Sequence, residues 1–184
     1  MYSLPQRANT LFAFFISVLF CVLGAVALSG PVLLLATHAG GRDAGVPVIS
    51  VEKMAVKLGR RGHYYDYTQP MTELAFIHFN MVADLTPYWT WNTKQLFVYV
   101  VAEYATPTHP TNQIVIYDDI ITSKDDANID LRNQLSEYIA SDMSHKLAGI
   151  NATLSLHWNT MPHVGILMTD RKGSTPLVFP KPTK

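Results

Sequence analysis

The stretch that decides the fold is Trp89–Tyr104, WTWNTKQLFVYVVAEY, whose middle is apolar at every position. Successive side chains of a strand point to opposite faces of its sheet. Two apolar sets therefore lie on opposite faces: Leu96, Val98, Val100 and Ala102 on one, and Phe97, Tyr99 and Val101 on the other. A strand with one face in water would alternate apolar with polar residues. The pattern predicts that a second sheet covers one face, and that a loop, a helix or another protein covers the other.

Further strand patterns flank this stretch and are separated by Pro and Gly turns. They are Val46–Val56, Leu74–Leu85, Gln113–Thr122, Thr153–Trp158 and a final extended piece, Pro176–Pro180. Asp125–Leu147 is the one helix candidate, because apolar residues recur in it with a spacing of four. Short strands joined by such turns are typical of antiparallel sandwiches. The sequence predicts a mainly-β, sandwich-like domain over residues 46–184 with at most one or two helices.

An apolar run precedes this domain. Leu11–Leu28 carries no charged residue and would span roughly 27 Å as a helix, close to the thickness of an endoplasmic reticulum bilayer core. Its length favours an uncleaved signal anchor, whereas Ala27 and Ser29 before Gly30 suit a cleavage site. We expect a short tail over residues 1–10, a transmembrane anchor over 11–28 and a stalk or linker over 29–45.

The charge distribution bears on orientation and on partners. Arg7 precedes the apolar run, so the positive-inside rule leans towards a cytosolic N-terminus and a lumenal domain. Net charge is zero, from 14 basic and 14 acidic residues, and no basic run is present. Nucleic acid is therefore not an expected partner. The single cysteine, Cys21, rules out a disulfide within the chain.

One N-x-[ST] sequon, Asn151-Ala152-Thr153, is present. Gly149 predicts a turn just before it, and the alternation that follows predicts a strand. Asn151 would then stand at the exposed start of that strand, where a glycan can be accommodated. The alternative is an ordinary asparagine that closes a turn.

No catalytic motif is found. G-x-S-x-G, H-E-x-x-H, the P-loop and G-x-G-x-x-G are all missing, and none of the 7 histidines pair at a metal-ligand spacing. We expect His78 to be a half-buried structural residue and His157 to lie solvated on the polar face of its strand. No catalytic residue, cofactor site or metal site is predicted, although a nucleophilic serine outside known motifs stays possible on composition.

The chain resembles subunit 3 of the endoplasmic reticulum signal peptidase complex, a family of single-pass glycoproteins. The matching stretches are RANTLFAF at Arg7–Phe14, WNTKQLFVYVVAEY at Trp91–Tyr104, NQIVIYDDII at Asn112–Ile121 and NATLSLHWNTMPHVGIL at Asn151–Leu167. They occur in the family's order and spacing. The stalk, residues 60–70, residues 125–147 and the C-terminus past Thr169 match poorly.

The resemblance implies a type II protein of the endoplasmic reticulum membrane, with an uncleaved anchor in the lipid and a lumenal β-sandwich. It implies a non-catalytic subunit that supports a separate catalytic subunit, which carries the serine nucleophile and removes signal peptides from nascent secretory proteins. The expected partners are that subunit, the other subunits of the complex and membrane lipid. Asn151 falls on the family's glycosylated position, and no cofactor is implied.

Two rival functions are consistent with the residues. A secreted or membrane-anchored β-sandwich binding module would use a surface of aromatic residues: Tyr64, Tyr65, Tyr67, Trp89 and Trp91. Trp89 and Trp91 are better explained as core or sheet-edge residues. The other rival is a lumenal hydrolase whose site no motif reveals.

Overall fold

The structure, a computed structural model, describes residues 3–39, 45–60 and 68–182. One α-helix, α1 (Leu4–Ala39), precedes seven strands. The strands are β1 (Val48–Arg60), β2 (Met71–Asp84), β3 (Thr93–Tyr104), β4 (Asn112–Ile121), β5 (Asn128–Leu135), β6 (Asn151–Pro162) and β7 (Met168–Val178). Two single 3₁₀ turns lie at Thr86–Tyr88 and Asp125–Ala127. The described residues contain no other helix.

The strands form two antiparallel sheets that pack face to face. The first has the order β1-β2-β5 and the second β4-β3-β6-β7. The inward residues of β3 are fully buried and share one core with inward residues of β2: Leu96, Val98, Val100 and Ala102 with Ile77, Phe79 and Met81. The predicted sandwich is therefore confirmed, and a second sheet covers the first apolar face of β3.

The two open sides of the sandwich are closed by the chain itself. On one side, Thr175 of β7 donates its hydroxyl to the Ile49 carbonyl of β1 at 2.8 Å. On the other, the Ser136 amide donates to the Ile77 carbonyl of β2 at 2.7 Å, and the Glu137 amide donates to the Ile116 carbonyl of β4 at 2.8 Å. The segment after β5 thus joins the sheets along their edges.

The helix predicted over Asp125–Leu147 is wrong. A 3₁₀ turn and β5 occupy its first half, and the described residues from 136 to 147 are not helical. A spacing of four equals two strand periods, so the pattern that suggested a helix also suits a strand. Ile139 and Met143, the last two residues of that pattern, are 50% and 89% exposed and bury no helical face.

The helix α1 extends past the predicted anchor. Residues 29–39, which we expected to begin a stalk, continue it without interruption, with Pro31 inside. Residues 40–44 of the expected stalk lie outside the described residues. Near its C-terminal end α1 packs on the domain, where the Leu34 side chain is only 6% exposed.

Candidate interaction surface

The second face of β3 is covered only in part by described residues, since Val101 is 2% exposed there while Phe97 and Tyr99 are partly open to solvent. Phe97 and Tyr99 point outward from the four-stranded sheet, and their rings stack with centroids 5.3 Å apart. The His157 ring of β6 lies 5.2 Å from that of Tyr99. Val115 and Ile120 of β4 share this side and are 38% and 54% exposed. We call Phe97, Tyr99, His157, Val115 and Ile120 the outer face.

The outer face has a charged border. Glu103 of β3 accepts hydrogen bonds at Oε1 from Gln113 Nε2 at 2.8 Å and from Arg171 Nη1 at 3.1 Å. Glu103 and Arg171 come from the two strands that flank β6, so their ion pair crosses over the β6 side chains between them. The surface therefore combines an aromatic and aliphatic patch with a fixed ion pair, a composition common at protein interfaces.

Beneath this ion pair, Ser155 and His157 are in contact. Ser155 Oγ lies 3.0 Å from His157 Nε2, and Glu103 Oε1 lies 3.9 Å from the same nitrogen. In a Ser-His-acid triad the serine and the carboxylate occupy different ring nitrogens, so that the acid orients the base. Here both share Nε2. This arrangement therefore lacks the geometry of a triad. The sequence had not predicted that the three residues meet.

The expectation that His157 is solvated is wrong. His157 is only 8% exposed, because neighbouring strands bring Tyr99, Glu103 and Arg171 around it. Burial lowers the pKa of His157 below its ordinary value, and the Arg171 charge adds to the effect while Glu103 opposes it. The imidazole is therefore neutral near pH 7.

The other predicted positions are placed as follows. His78 is half-buried, with Nδ1 3.0 Å from Asn133 Oδ1, which agrees with a structural role. Asn151 is exposed as the first residue of β6, just after the turn at Gly149. Within the described ranges, no three His, Cys, Asp or Glu side chains are grouped as a metal site.

The aromatic surface of the binding-module alternative is not assembled by the described residues. Trp89 packs against the core, whereas Trp91 is 65% exposed. Tyr64, Tyr65 and Tyr67 lie outside the described residues. The packing of Trp89 agrees with its interpretation as a core residue, whereas core packing does not explain the exposed Trp91.

The family model described as "Signal peptidase subunit" matches residues 1–182, which include both α1 and the whole sandwich. The chain belongs to the signal peptidase subunit family. Signal peptidase complex subunit 3 of Homo sapiens is 35% identical over 185 residues, covering 98% of this chain and 95% of the relative. The subunit 3 of Debaryomyces hansenii is 36% identical over 148 residues, or 80% of this chain and 77% of its own length.

A mouse relative, adipocyte-related X-chromosome expressed sequence 1, is 36% identical with the same 98% and 95% coverage. The resemblance drawn from four separate stretches of sequence is therefore confirmed over almost the whole chain. By length and composition, α1 is long and apolar enough to cross a membrane over Leu4–Thr37.

Proposed function

We propose that this chain is a non-catalytic structural subunit of the endoplasmic reticulum signal peptidase complex. It supports the catalytic subunit that removes signal peptides from nascent secretory proteins. The observation that carries the proposal is the family match over residues 1–182, since it spans the anchor and the sandwich together. The alignment with the human relative, named signal peptidase complex subunit 3, covers 95% of that protein's length.

The proposed topology is single-pass and type II. Residues 1–10 lie in the cytosol, residues 11–28 cross the membrane, and the domain from residue 46 lies in the lumen. Support comes from the hydropathy of α1, from Arg7 on its N-terminal side and from the exposure of Asn151. Asn151→Gln should then abolish an endoglycosidase-sensitive gel shift. Failure of wild-type chain to shift in microsomes would contradict glycosylation at this site.

The outer face is the proposed contact with the catalytic subunit, which supplies the serine nucleophile of the complex. A patch that contains Phe97, Tyr99 and exposed aliphatic side chains, bordered by the Glu103–Arg171 ion pair, combines a hydrophobic centre with a polar rim. Contact with a partner is the role that this combination supports.

The experiment is depletion and rescue. Membranes depleted of this chain should accumulate precursors with uncleaved signal peptides, and wild-type chain should restore cleavage. Ser155→Ala should restore it equally, because the Ser155–His157 contact is structural in this proposal. If a correctly folded Ser155→Ala chain failed to restore cleavage at all, the non-catalytic role would be overturned in favour of a hydrolase.

A further inference from the structure

The C-terminal half of α1 is fixed to the domain by a buried asparagine. Asn92, 2% exposed, donates from Nδ2 to the Val164 carbonyl at 2.8 Å and to the Val26 carbonyl of α1 at 3.4 Å. Its Oδ1 accepts from the Val164 amide at 3.2 Å. One side chain therefore joins α1 to the start of β3 and to the turn between β6 and β7.

A second contact brings that turn against the helix backbone. Gly165 has φ +129, and a Cβ at this position would lie 3.1 Å from the Ala27 carbonyl oxygen. Glycine permits both the backbone conformation and the close approach. Ile166 then lines a small hollow together with Gly30 and Leu34 of α1. The β6–β7 turn is thus held at the level of Val26–Gly30.

The depth of Val26–Gly30 follows from the proposed role of α1 as a transmembrane anchor that begins at Leu11. Arg7 is the last charged residue before the apolar run. A hydrocarbon core of about 30 Å takes roughly 20 helical residues at about 1.5 Å each. Counted from Leu11, the core ends near Gly30. With the anchor in that position, the residues that touch Val26–Gly30 would lie at the boundary between hydrocarbon and headgroups.

Three large apolar side chains are exposed at this level. Trp91, next to Asn92, is 65% exposed, and Ile166 and Leu167, next to Gly165, are 68% and 51% exposed. Tryptophan favours the membrane interface, where its ring is partly apolar and its N–H remains hydrated. Exposed aliphatic side chains beside it gain free energy by entering the acyl region.

We propose that Trp91, Ile166 and Leu167 form a membrane-inserted rim, which dips into the interface of the bilayer that α1 spans. The occupant of this patch is phospholipid. The inference rests on α1 as a transmembrane anchor, which is part of the proposed function, but it does not depend on which protein covers the outer face. The rim and α1 together would hold the sandwich on the membrane surface in one orientation.

The test places a fluorescent reporter on the rim. In a Cys21→Ser background, Ile166→Cys is labelled with the environment-sensitive dye NBD, and Leu167→Cys provides a second reporter. The labelled full chain is assembled into the signal peptidase complex and reconstituted in phosphatidylcholine and phosphatidylethanolamine vesicles. Met143→Cys is the matched control, being 89% exposed beside Asp142, which binds Tyr104 at the opposite end of β3.

The rim reporters should emit at shorter wavelength than the Met143 control and should lose at least half their intensity with doxyl lipids labelled near the headgroup. The control should change little. If the chain resists carbonate extraction but the rim reporters are not quenched, the rim alone would be overturned. This holds whether the dye lies in water or is shielded by protein. Extraction of the chain by carbonate would overturn both the anchor and the rim.

Discussion

Val98 and Tyr99 are adjacent residues that point to opposite faces of β3. The same substitution, to Asp, made at each position therefore tests which face is buried. Val98 is fully buried beside Trp158, its partner on β6. Val98→Asp loses about 1.5–3 kcal/mol of apolar burial and adds a cost of several kcal/mol for an unpaired buried carboxylate. The sum, about 5 kcal/mol or more, approaches the whole stability of a typical domain.

Tyr99→Asp should be far milder. Tyr99 is partly open to solvent, and its described ring contacts are with Phe97 and His157. Each aromatic contact contributes about 0.5–1.5 kcal/mol. We therefore expect a loss of about 1–3 kcal/mol for the two contacts, which is roughly 0.5–1.5 M in the urea midpoint for a slope near 2 kcal/mol/M.

The assay is urea unfolding of the full chain in mild detergent, followed by tryptophan fluorescence. Val98→Asp should show no cooperative transition, whereas Tyr99→Asp should keep one at a lower midpoint. Met143→Asp, at an 89% exposed position, is the control and should match wild type. Equal midpoints for Val98→Asp and wild type, or loss of folding in Tyr99→Asp, would refute this assignment of the two faces.

Three further predictions concern polar groups in the domain and at the junction between α1 and the β6–β7 turn. Burial lowers the pKa of His157, so the contribution of neutral His157 to stability is full above its unfolded pKa near 6.5 and is lost as pH falls through its lower folded value. The urea midpoint should therefore fall from pH 7 to 5 in wild type and should fall less in His157→Gln. An equal dependence of the midpoint on pH in the two proteins would contradict this. Tyr104→Phe removes the hydroxyl that donates to Asp142 at 2.6 Å and should cost about 1–3 kcal/mol. Burial raises the pKa of Asp142, but hydrogen bonds, including the one from Tyr104, outweigh burial and hold this pKa below its ordinary value. The stabilisation from ionised Asp142 is therefore present above the ordinary pKa and is lost as pH falls through the folded value, and Tyr104→Phe should lose it at higher pH than wild type. An unchanged midpoint of acid unfolding would argue against the contact. Asn92→Ala should accelerate hydrogen exchange of the Val164 amide at least tenfold and cost about 1–2 kcal/mol, whereas unaltered exchange would show that the junction does not depend on Asn92.

The sequence predicted most of the sandwich because its central strands carry strong local patterns. β3 is apolar throughout its middle, β2 is largely apolar, and β6 alternates clearly, so each could be recognised alone. β7 was largely missed, since as an edge strand it is paired on one side only and its stretch TDRKGS is polar. Only its last residues, from Pro176, were predicted to be extended.

The site depends on pairings that no local pattern reveals. Glu103 and Arg171 are 68 positions apart and meet because β6 places β3 and β7 on either side of it. The burial of His157 has the same origin. The register of strand pairing would have been needed to predict either feature. Likewise, α1 could be predicted as an anchor, but its attachment through Asn92 and Gly165 depends on tertiary contacts.

The proposed role of the outer face is tested most directly by recovery of the catalytic subunit. Tagged wild-type chain, Tyr99→Asp and the Met143→Asp control would be purified from microsomes in digitonin, and the catalytic signal peptidase subunit quantified by mass spectrometry. Wild type and control should recover equal amounts, while Tyr99→Asp, folded by the urea assay, should recover at least tenfold less. Full recovery by folded Tyr99→Asp would contradict the outer face as the contact, and no recovery by wild type would contradict membership of the complex itself.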